Sequence, residues 1–258
     1  MRRETFAAPG PLRLDLSVPA GQIEIEAQET TEVVVELDPL RNGERAVEEA
    51  RVDLRGDELR VDVKDRRGSS AEVRVLVRAP EGSTLLARAG SADVRTRGRL
   101  GDTELKLASG DAALDWVAVL RAKLASGDLE ARQVDGEARI QSASGDVELE
   151  QLAGEGEITS ASGDVHVVEA ASGLKVRTAS GDLNLDSVRE GRIDLTSASG
   201  DIRVGIRKGS RLWVDARSSS GDVGSELEVG DAPPDDEGPL VELQATAMSG
   251  DVQVVRAK

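Results

Sequence analysis

Residues 142–165 read Ser-Ala-Ser-Gly-Asp-Val-Glu-Leu-Glu-Gln-Leu-Ala-Gly-Glu-Gly-Glu-Ile-Thr-Ser-Ala-Ser-Gly-Asp-Val, so the phrase Ser-Ala-Ser-Gly-Asp-Val occurs at both 142–147 and 160–165. The triplet Ser-Gly-Asp within it occurs eight times in the chain, and its serines are Ser109, Ser126, Ser144, Ser162, Ser180, Ser199, Ser220 and Ser249. Most neighbouring serines in this series are about 18 residues apart, and the separation widens towards Ser249. A nearly fixed period of this length indicates a repeat architecture in which each unit stacks on its neighbours.

Each repeat contains two runs of alternating apolar and polar residues, and each run ends at a turn. Residues 174–178 alternate before the triplet at 180–182, and residues 183–188 alternate before a second turn at Gly191. Alternation with a period of two is typical of a half-buried β-strand. We therefore predict an all-β protein whose repeat region is a parallel β-solenoid, with about 18 residues and two strands in each coil.

Glycines mark both turns of the repeat. The triplets supply the first series, which is Gly110, Gly127, Gly145, Gly163, Gly181, Gly200, Gly221 and Gly250. The second series recurs with the same period and consists of Gly136, Gly154, Gly173, Gly191 and Gly209. Because glycine adopts positive φ without a steric penalty, we predict that each coil bends sharply twice at these residues.

The chain divides into two regions of different sequence texture. Residues 1–88 hold alternating segments without a strict repeat, and we predict an N-terminal β-strand cap region there, with one short helical stretch at 43–51. Residues 89–258 form the predicted Ser-Gly-Asp solenoid, with a polar loop inserted near 230–238. The far end of the solenoid is expected to be closed by the strand at 252–255 and this loop. If that closure is poor, chains will stack end to end or dimerise.

Composition excludes several classes of function. Among 258 residues there are two Trp, one Phe, no Tyr and no Cys, and the formal net charge is −16. The absence of cysteine excludes disulfides and thiolate sites. The negative charge disfavours nucleic acid as a partner, because phosphate binding needs clustered Lys and Arg. The scarcity of aromatic rings suits a thin interior lined with Val, Leu, Ile and Ala between two closely spaced sheets.

The sequence also predicts where the protein resides. No apolar run approaches the roughly 20 residues that span a bilayer, so we expect no membrane insertion. The first residues contain Arg2 and Arg3 but no apolar segment after them, so we identify no signal peptide. For the chain as written we expect a cytoplasmic location, or the cell surface if an export signal was removed.

The repeated Ala-Ser-Gly-Asp turns, together with the Pro-Ala-Gly segment at 19–21, resemble those of a known bacterial family. It is the "putative adhesin" domain of unknown function, also called the toast-rack domain. The resemblance covers most of the chain and implies a parallel β-solenoid in a bacterial protein. It implies no particular activity, because the family carries no agreed one.

The eight aspartates of the triplets are predicted to form a ladder along one edge of the solenoid. They are Asp111, Asp128, Asp146, Asp164, Asp182, Asp201, Asp222 and Asp251. Carboxylates about 5 Å apart repel each other, so each needs a donor or a nearby cation. We expect each carboxylate to accept backbone N–H groups of its own turn or the next.

Two functional alternatives for this ladder stay open. A calcium ladder would suit hard-cation chemistry, although one Asp and one Gly per turn supply fewer ligands than known calcium repeats do. A pair of glycosidase carboxylates would need two different environments, whereas the repeat predicts equal ones. We therefore expect no cofactor, with calcium as the alternative.

The remaining candidate groups favour structural roles, and no catalytic residue is predicted. The hydroxyl residues two positions before a triplet are expected to stack near the turn, and they are Ser142, Ser160, Thr178, Ser197 and Ser218. A nucleophilic serine needs a base, and the one histidine, His166, is predicted to point outward from a sheet face. Trp116 and Trp213 are expected to pack against the solenoid, with partner anchoring as the alternative.

Together these observations predict a non-enzymatic structural or protein-interaction scaffold of bacterial origin. Its expected partners are another protein or a second copy of the chain. The alternative is a surface adhesin or polysaccharide-binding module, which calcium could stabilise.

Overall fold

The structure, a computed structural model, describes residues 1–64, 71–227 and 238–257. These residues form an all-β protein with one short helix, α1 (Glu44–Glu49), inside the stretch where a helical turn was predicted. None of the helices in the described part of the chain is long and apolar enough to cross a membrane. The chain forms two compact units, unit 1 (Met1–Ala131) and unit 2 (Arg132–Lys258). Of the predicted polar loop, residues 230–237 lie outside the described residues.

The described residues of unit 1 form eleven complete strands. They are β1 (Arg2–Ala7), β2 (Arg13–Gln28), β3 (Glu32–Pro39), β4 (Arg51–Arg55), β5 (Glu58–Asp62), β6 (Val73–Pro80), β7 (Thr84–Arg97), β8 (Arg99–Leu100), β9 (Thr103–Ser109), β10 (Ala112–Val117) and β11 (Leu120–Ser126). A twelfth strand, β12 (Leu129–Val134), includes the last residues of unit 1. The predicted boundary between residues 88 and 89 falls inside β7, and the division into a cap and a repeat region stays a prediction.

The strands of unit 1 form two ladders, and each of the two long strands, β2 and β7, supplies one half to each ladder. β2 and β7 are parallel along most of their length, from Arg13 opposite Thr84 to Glu26 opposite Arg97. The first half of β2 also pairs with β5, and its second half pairs with β6. The predicted turn at 19–21 is therefore a corner inside one strand. Gly21 has φ of +122° there, and a Cβ on it would lie 2.1 Å from the carbonyl oxygen of Val73.

Antiparallel strands complete unit 1. β1 pairs with β3 and β3 pairs with β6, while β4 pairs with β5, and all three pairings are antiparallel. Val47 on α1 is buried. Parallel stacking starts at β2, well before the first Ser-Gly-Asp triplet, because the alternating segments of the first 88 residues already supply one apolar face to each strand.

In the part of unit 2 that the structure describes there are twelve complete strands. They are β13 (Ala138–Ser144), β14 (Val147–Leu152), β15 (Gly156–Ser162), β16 (Val165–Ala170), β17 (Leu174–Ser180), β18 (Leu183–Val188), β19 (Gly191–Ser199), β20 (Ile202–Ile206), β21 (Arg211–Ser218), β22 (Val223–Ser225), β23 (Leu240–Ser249) and β24 (Val252–Arg256). They form two parallel ladders, and each coil supplies one strand to each ladder. The predicted parallel β-solenoid with two strands per coil is confirmed.

The order of the coils in unit 2 differs from their order in the chain. β23 pairs with both β19 and β21, and β24 pairs with both β20 and β22. The last coil therefore lies inside the stack, between two earlier coils. The expectation that residues 252–255 close the far end is wrong, because the coil of β21 and β22 is outermost. In sequence, the stretch from Ser220 to Ser249 is much longer than the other repeats.

Rows of branched aliphatic side chains fill the interior of unit 2. One row consists of Ile140, Ile158, Val176, Leu195 and Ala245, which lie in register on successive strands and are each at most 1% exposed. Burying each such side chain stabilises the fold by about 1.5–3 kcal/mol. Short branched side chains fill the narrow space between the two ladders, which explains why this large domain contains so few aromatic rings.

The turn at Gly163 provides the first test of this stacking. Gly163 has φ of +113°, and a Cβ on it would lie 2.2 Å from the carbonyl oxygen of Gly145 in the coil before. We expect Gly163→Val to lower the free energy of unfolding by about 3 kcal/mol or more, through strain and steric overlap. Thermal unfolding followed by circular dichroism measures this.

The matched control is Glu148→Ala on the exposed face of the neighbouring strand. Its effect should stay within about 0.5 kcal/mol, as for most surface substitutions. Equal melting temperatures for the two variants would contradict the turn geometry.

Candidate functional site

The aspartates of unit 2 form a ladder of hydrogen bonds that connects successive coils. In each case one carboxylate oxygen, Oδ1, accepts the backbone N–H of the aspartate in the next coil of the stack, with N···O distances of 2.8–2.9 Å. The acceptor and donor pairs are Asp146 and Asp164, Asp164 and Asp182, Asp182 and Asp201, Asp201 and Asp251, and Asp251 and Asp222. The carboxylates that were expected to need donors thus have them in the neighbouring turn.

Unit 1 contains the same ladder with one further member, Asp93, which does not belong to a Ser-Gly-Asp triplet. Asp111 Oδ1 accepts the N–H of Asp128 at 3.0 Å, and Asp93 Oδ1 accepts the N–H of Asp111 at 3.2 Å. Asp93 belongs to a Ser-Ala-Asp triplet, in which Ala92 replaces the glycine. The serine of that triplet, Ser91, precedes Ser109 by one repeat period and pairs with it in register. The spacing of the serines alone would therefore have identified Asp93 as a member of the ladder.

The ladder places its carboxylates in equivalent environments. In unit 2 the Oδ1 atoms of Asp146, Asp164, Asp182, Asp201 and Asp251 each face a backbone N–H. A hydrogen bond to an ionised acceptor is stronger than one between neutral groups. Acid–base chemistry by two carboxylates needs two different environments, which this regular arrangement does not provide. Among the residues that the structure describes, no group of three or more His, Asp or Glu side chains could hold a metal ion.

The glycines of the triplets adopt the predicted conformation in all but one case. Seven of the eight have φ between +111° and +137°, and Gly221 is the exception. Gly221 still needs to be a glycine, because a Cβ would lie 2.2 Å from the carbonyl oxygen of Gly250. In the second series Gly191 and Gly209 have positive φ, whereas Gly154 does not. The prediction of positive φ at the second turn of each coil is therefore wrong as a general rule. Close approach explains Gly154, where a Cβ would lie 2.4 Å from the carbonyl oxygen of Gly136.

The hydroxyl residues before the triplets lie near the turn, mostly buried. The hydroxyls of Ser142, Ser160 and Thr178 each donate to the carbonyl oxygen two residues later, at 3.1 Å. Ser197 is fully buried, and its hydroxyl has no hydrogen-bond partner in the described part of the chain. Ser218 instead donates to the carbonyl oxygen of Gly250, at 2.8 Å. These contacts occupy the hydroxyls with backbone acceptors.

His166 lies on the outer face of β16 and is held by carboxylates. Its Nε2 lies 3.0 Å from Asp186 Oδ2, and its Nδ1 lies 3.8 Å from Glu148 Oε1. In register along the sheet, His166 has Glu148 on one side and Asn184 on the other. The imidazole is oriented by these polar neighbours on an open sheet face.

The two tryptophans differ in their surroundings. The ring of Trp116 is half-buried, and the guanidinium of Arg99 lies 3.4 Å from its centroid. This stacking is a cation–π contact between the neighbouring strands β8 and β10. Trp213 on β21 is 56% exposed, so the expectation that it packs against the solenoid is wrong. Trp213 lies opposite the exposed Glu242 of β23, so its side chain is on the outer face of the sheet.

A groove on unit 2 collects positive charge on an otherwise acidic chain. It has a volume of about 730 Å³ and is lined by Val168, Glu169, Leu185, Asp186, Ser187, Arg203, Arg207, Lys208, Val255, Arg256 and Ala257. We call it the basic groove. Arg207 Nη1 lies 3.0 Å from Glu169 Oε1, and Asp186 is occupied by His166. Within the described residues, the side chains of Arg203, Lys208 and Arg256 form no hydrogen bond or ion pair.

The strand arrangement explains how these cations come together. β20 and β24 are adjacent parallel strands, with Ile206 opposite Arg256, so their C-terminal ends lie at the same edge. The register between β18 and β20 shifts after Leu185, where Gly205 lies so close to Asp186 that a Cβ would meet its carbonyl oxygen at 1.9 Å. Sequence reasoning missed the groove because Arg203 and Arg256 lie far apart in the chain.

The ladder predicts a measurable effect at one of its internal rungs. We expect Asp164→Ala to lower the free energy of unfolding by about 1 kcal/mol, because the N–H of Asp182 loses its carboxylate acceptor. Asp164→Asn keeps a side-chain oxygen and should lose less. Denaturant unfolding of both variants measures the difference.

Glu157→Ala serves as the control, because Glu157 is an exposed acid whose only ion pair, with Lys175, is 3.8 Å long in the described structure. Its stability should match the wild type within about 0.5 kcal/mol. An Asp164→Ala variant as stable as the control would show that the rung contributes nothing.

No curated protein matches the sequence. Among solved structures, the chain is similar to a "putative lipid binding protein" from Parabacteroides distasonis, with 12% identity, a TM-score of 0.49, and coverage of 99% of this chain and 96% of that one. It is also similar to a "putative adhesin" from Bacteroides fragilis, with 12% identity, a TM-score of 0.43, and coverage of 98% and 97%.

The sequence itself matches one protein family across almost its whole length. The match to the family described as Toastrack DUF4097 extends over residues 12–254, which includes strands β2 to β7 and all eight triplets. The resemblance suggested by the Ser-Gly-Asp turns is thereby confirmed. The chain belongs to the Toastrack family.

Proposed function

We propose that the protein is a non-enzymatic scaffold that binds an acidic segment of a partner protein in the basic groove of unit 2. The observation that carries this proposal is the grouping of Arg203, Lys208 and Arg256, whose side chains have no partner within the described structure, in one groove of a chain with net charge −16. Carboxylates of a partner would accept charge-assisted hydrogen bonds from these three cations.

The occupied state of the other polar groups supports a non-enzymatic role. The ladder carboxylates accept backbone N–H groups, the hydroxyls before the triplets that form hydrogen bonds donate to backbone carbonyls, and His166 faces Asp186 and Glu148. A nucleophile needs a base within hydrogen-bond reach, and the neighbours of His166 are acids and an amide. The repeated residues thus serve the stacking of the coils.

The groove suits an extended peptide. Arginine presents a planar fork that binds a carboxylate through two parallel hydrogen bonds, and Arg203 and Arg256 both offer it. Val168 and Ala257 add small apolar surfaces that can contact the methylene groups of a Glu side chain. An acidic polysaccharide also carries carboxylates, but among its described lining residues the groove has no aromatic ring on which a sugar could stack. The acidic peptide is therefore the better fit.

The test uses a fluorescein-labelled oligoglutamate peptide and fluorescence anisotropy at low ionic strength. We expect the wild type to bind this peptide, with affinity that falls as salt is added. The triple variant Arg203→Glu, Lys208→Glu and Arg256→Glu should bind about tenfold more weakly or worse, because three cations become repelling anions.

The matched control changes the same number of charges elsewhere. Lys123→Glu, Arg177→Glu and Arg189→Glu alter exposed cations outside the groove and should leave peptide affinity nearly unchanged. Equal losses in both triple variants would mean that net charge alone attracts the peptide. Displacement of the peptide by alginate at a much lower concentration than by unlabelled oligoglutamate would favour the polysaccharide-binding alternative.

We further propose that the Asp ladder works without a metal ion. At the internal rungs of unit 2, such as Asp146 and Asp164, Oδ1 already accepts a backbone N–H, so added calcium gains little by binding there. The melting temperature should be the same in calcium and in EDTA, because only a ligand that binds the folded state raises it. A melting temperature that rises with calcium concentration would instead support the calcium ladder.

A further inference from the structure

The outermost coil of unit 2 has unpaired strand edges in both ladders. We call β21 and β22 together the terminal coil. Within the described part of the chain, β21 pairs only with β23 and β22 pairs only with β24. Exposed strand edges bind other strands unless they are short, interrupted by proline or guarded by charge. β21 has eight residues and no proline.

The interior rows of unit 2 end in the open at this coil. Val214 lies in register with Leu243 and Ile193, which are fully buried, yet it is 44% exposed. On the other ladder Val223 lies opposite Val252 and is 50% exposed, whereas Val252 is fully buried. These side chains point into the core, but none of the described residues forms a coil above them, so apolar surface that is covered elsewhere in the stack is exposed here.

Half of the backbone groups of β21 also point to the open edge. The N–H of Arg211 donates to Pro239 and the N–H of Ser219 donates to Ala247, so the odd-numbered residues face β23. Because backbone groups alternate sides along a strand, the N–H and C=O groups of Leu212, Val214 and Ala216 face outward from the stack. They form a row of donors and acceptors ready for another strand.

We propose that the terminal coil binds the terminal coil of a second copy of this chain, and that the two are related by a two-fold axis. A covering partner must supply two strand edges at the separation of the two ladders, with apolar side chains between them. A second copy presents that arrangement. A two-fold axis along the sheet normal keeps each ladder in line with its counterpart and pairs β21 with β21 in antiparallel orientation.

Charge complementarity selects the register of this pairing. With Trp213 opposite Trp213 of the second copy, Arg211 faces Asp215 twice across the axis, and each Asp215, which already pairs with Arg217 of its own chain, gains a second cation. On the inner side Leu212 faces Val214 and exchanges both backbone hydrogen bonds with it. A register shifted by one pair, with Trp213 opposite Asp215, would instead place Arg211 against Arg217 and is disfavoured by repulsion between like charges.

This dimer does not rest on the basic groove, and its test uses the full-length chain. Size-exclusion chromatography with light scattering, repeated over a dilution series, should give a dimer that dissociates to a monomer. Val214→Lys places a charge at the covered row and should give a monomer at every concentration. Because Val214 is already half-exposed in the single chain, circular dichroism should show that the variant keeps its fold.

A second variant tests the strand pairing separately from the apolar contact. Val214→Pro removes an N–H that faces the open edge and blocks an approaching strand, while no intramolecular hydrogen bond of that N–H is lost. It should also be monomeric. The control is Met248→Lys, which changes an exposed apolar side chain on β23, a strand with partners on both sides, and should leave the dimer intact.

A charge exchange tests the register. Arg211→Asp should weaken the dimer about tenfold, and the double variant Arg211→Asp with Asp215→Arg should restore most of the affinity. A wild-type chain that stays monomeric at the highest concentration would overturn the proposal. So would a mass that grows without limit, which indicates open-ended stacking, or a dimer that survives both Val214 variants.

Discussion

The stacking of one Ser-Gly-Asp turn on the next is the contact on which the rest of the structure depends. Because glycine has no Cβ, each triplet glycine can lie directly against the backbone carbonyl group of the neighbouring coil, as Gly163 lies against Gly145. The aspartate that follows then accepts an N–H from the neighbouring coil. Together these two features fix the register between coils. A fixed register brings branched aliphatic side chains such as Ile158 and Val176 into continuous rows, which supply most of the stabilisation.

This division of labour explains where function can reside. The turn residues are committed to neighbouring coils, and the inward side chains are committed to the core. The outer faces and the ends of the stack remain available to partners. The basic groove arises where the register between β18 and β20 shifts, and the exposed terminal coil arises where stacking ends. Both candidate surfaces therefore lie where the repeat is interrupted or ends, which is where functional residues are expected in a repeat protein.

The sequence predicted the features that repeat and missed those that depend on how coils are ordered. The period, the alternation and the two glycine series were enough to predict a two-stranded coil and the aspartate ladder. Asp93 was missed because Ala92 occupies the glycine position of its triplet. The position of β24 inside the stack could not be read from the chain, because a long connection permits more than one stacking order. The basic groove was missed for the same reason, since it depends on β20 and β24 being neighbours.

Hydrogen exchange at the amide of Asp182 is the most direct test of the central claim, that the ladder joins successive coils without help from a metal ion. Nuclear magnetic resonance of the labelled protein in EDTA can follow this amide in the wild type and in an Asp164→Ala variant. The account predicts a protected amide in the wild type and a selective loss of protection at Asp182 in the variant, with core amides such as that of Val176 little changed. An amide that is unprotected in the wild-type protein until calcium is added would contradict it.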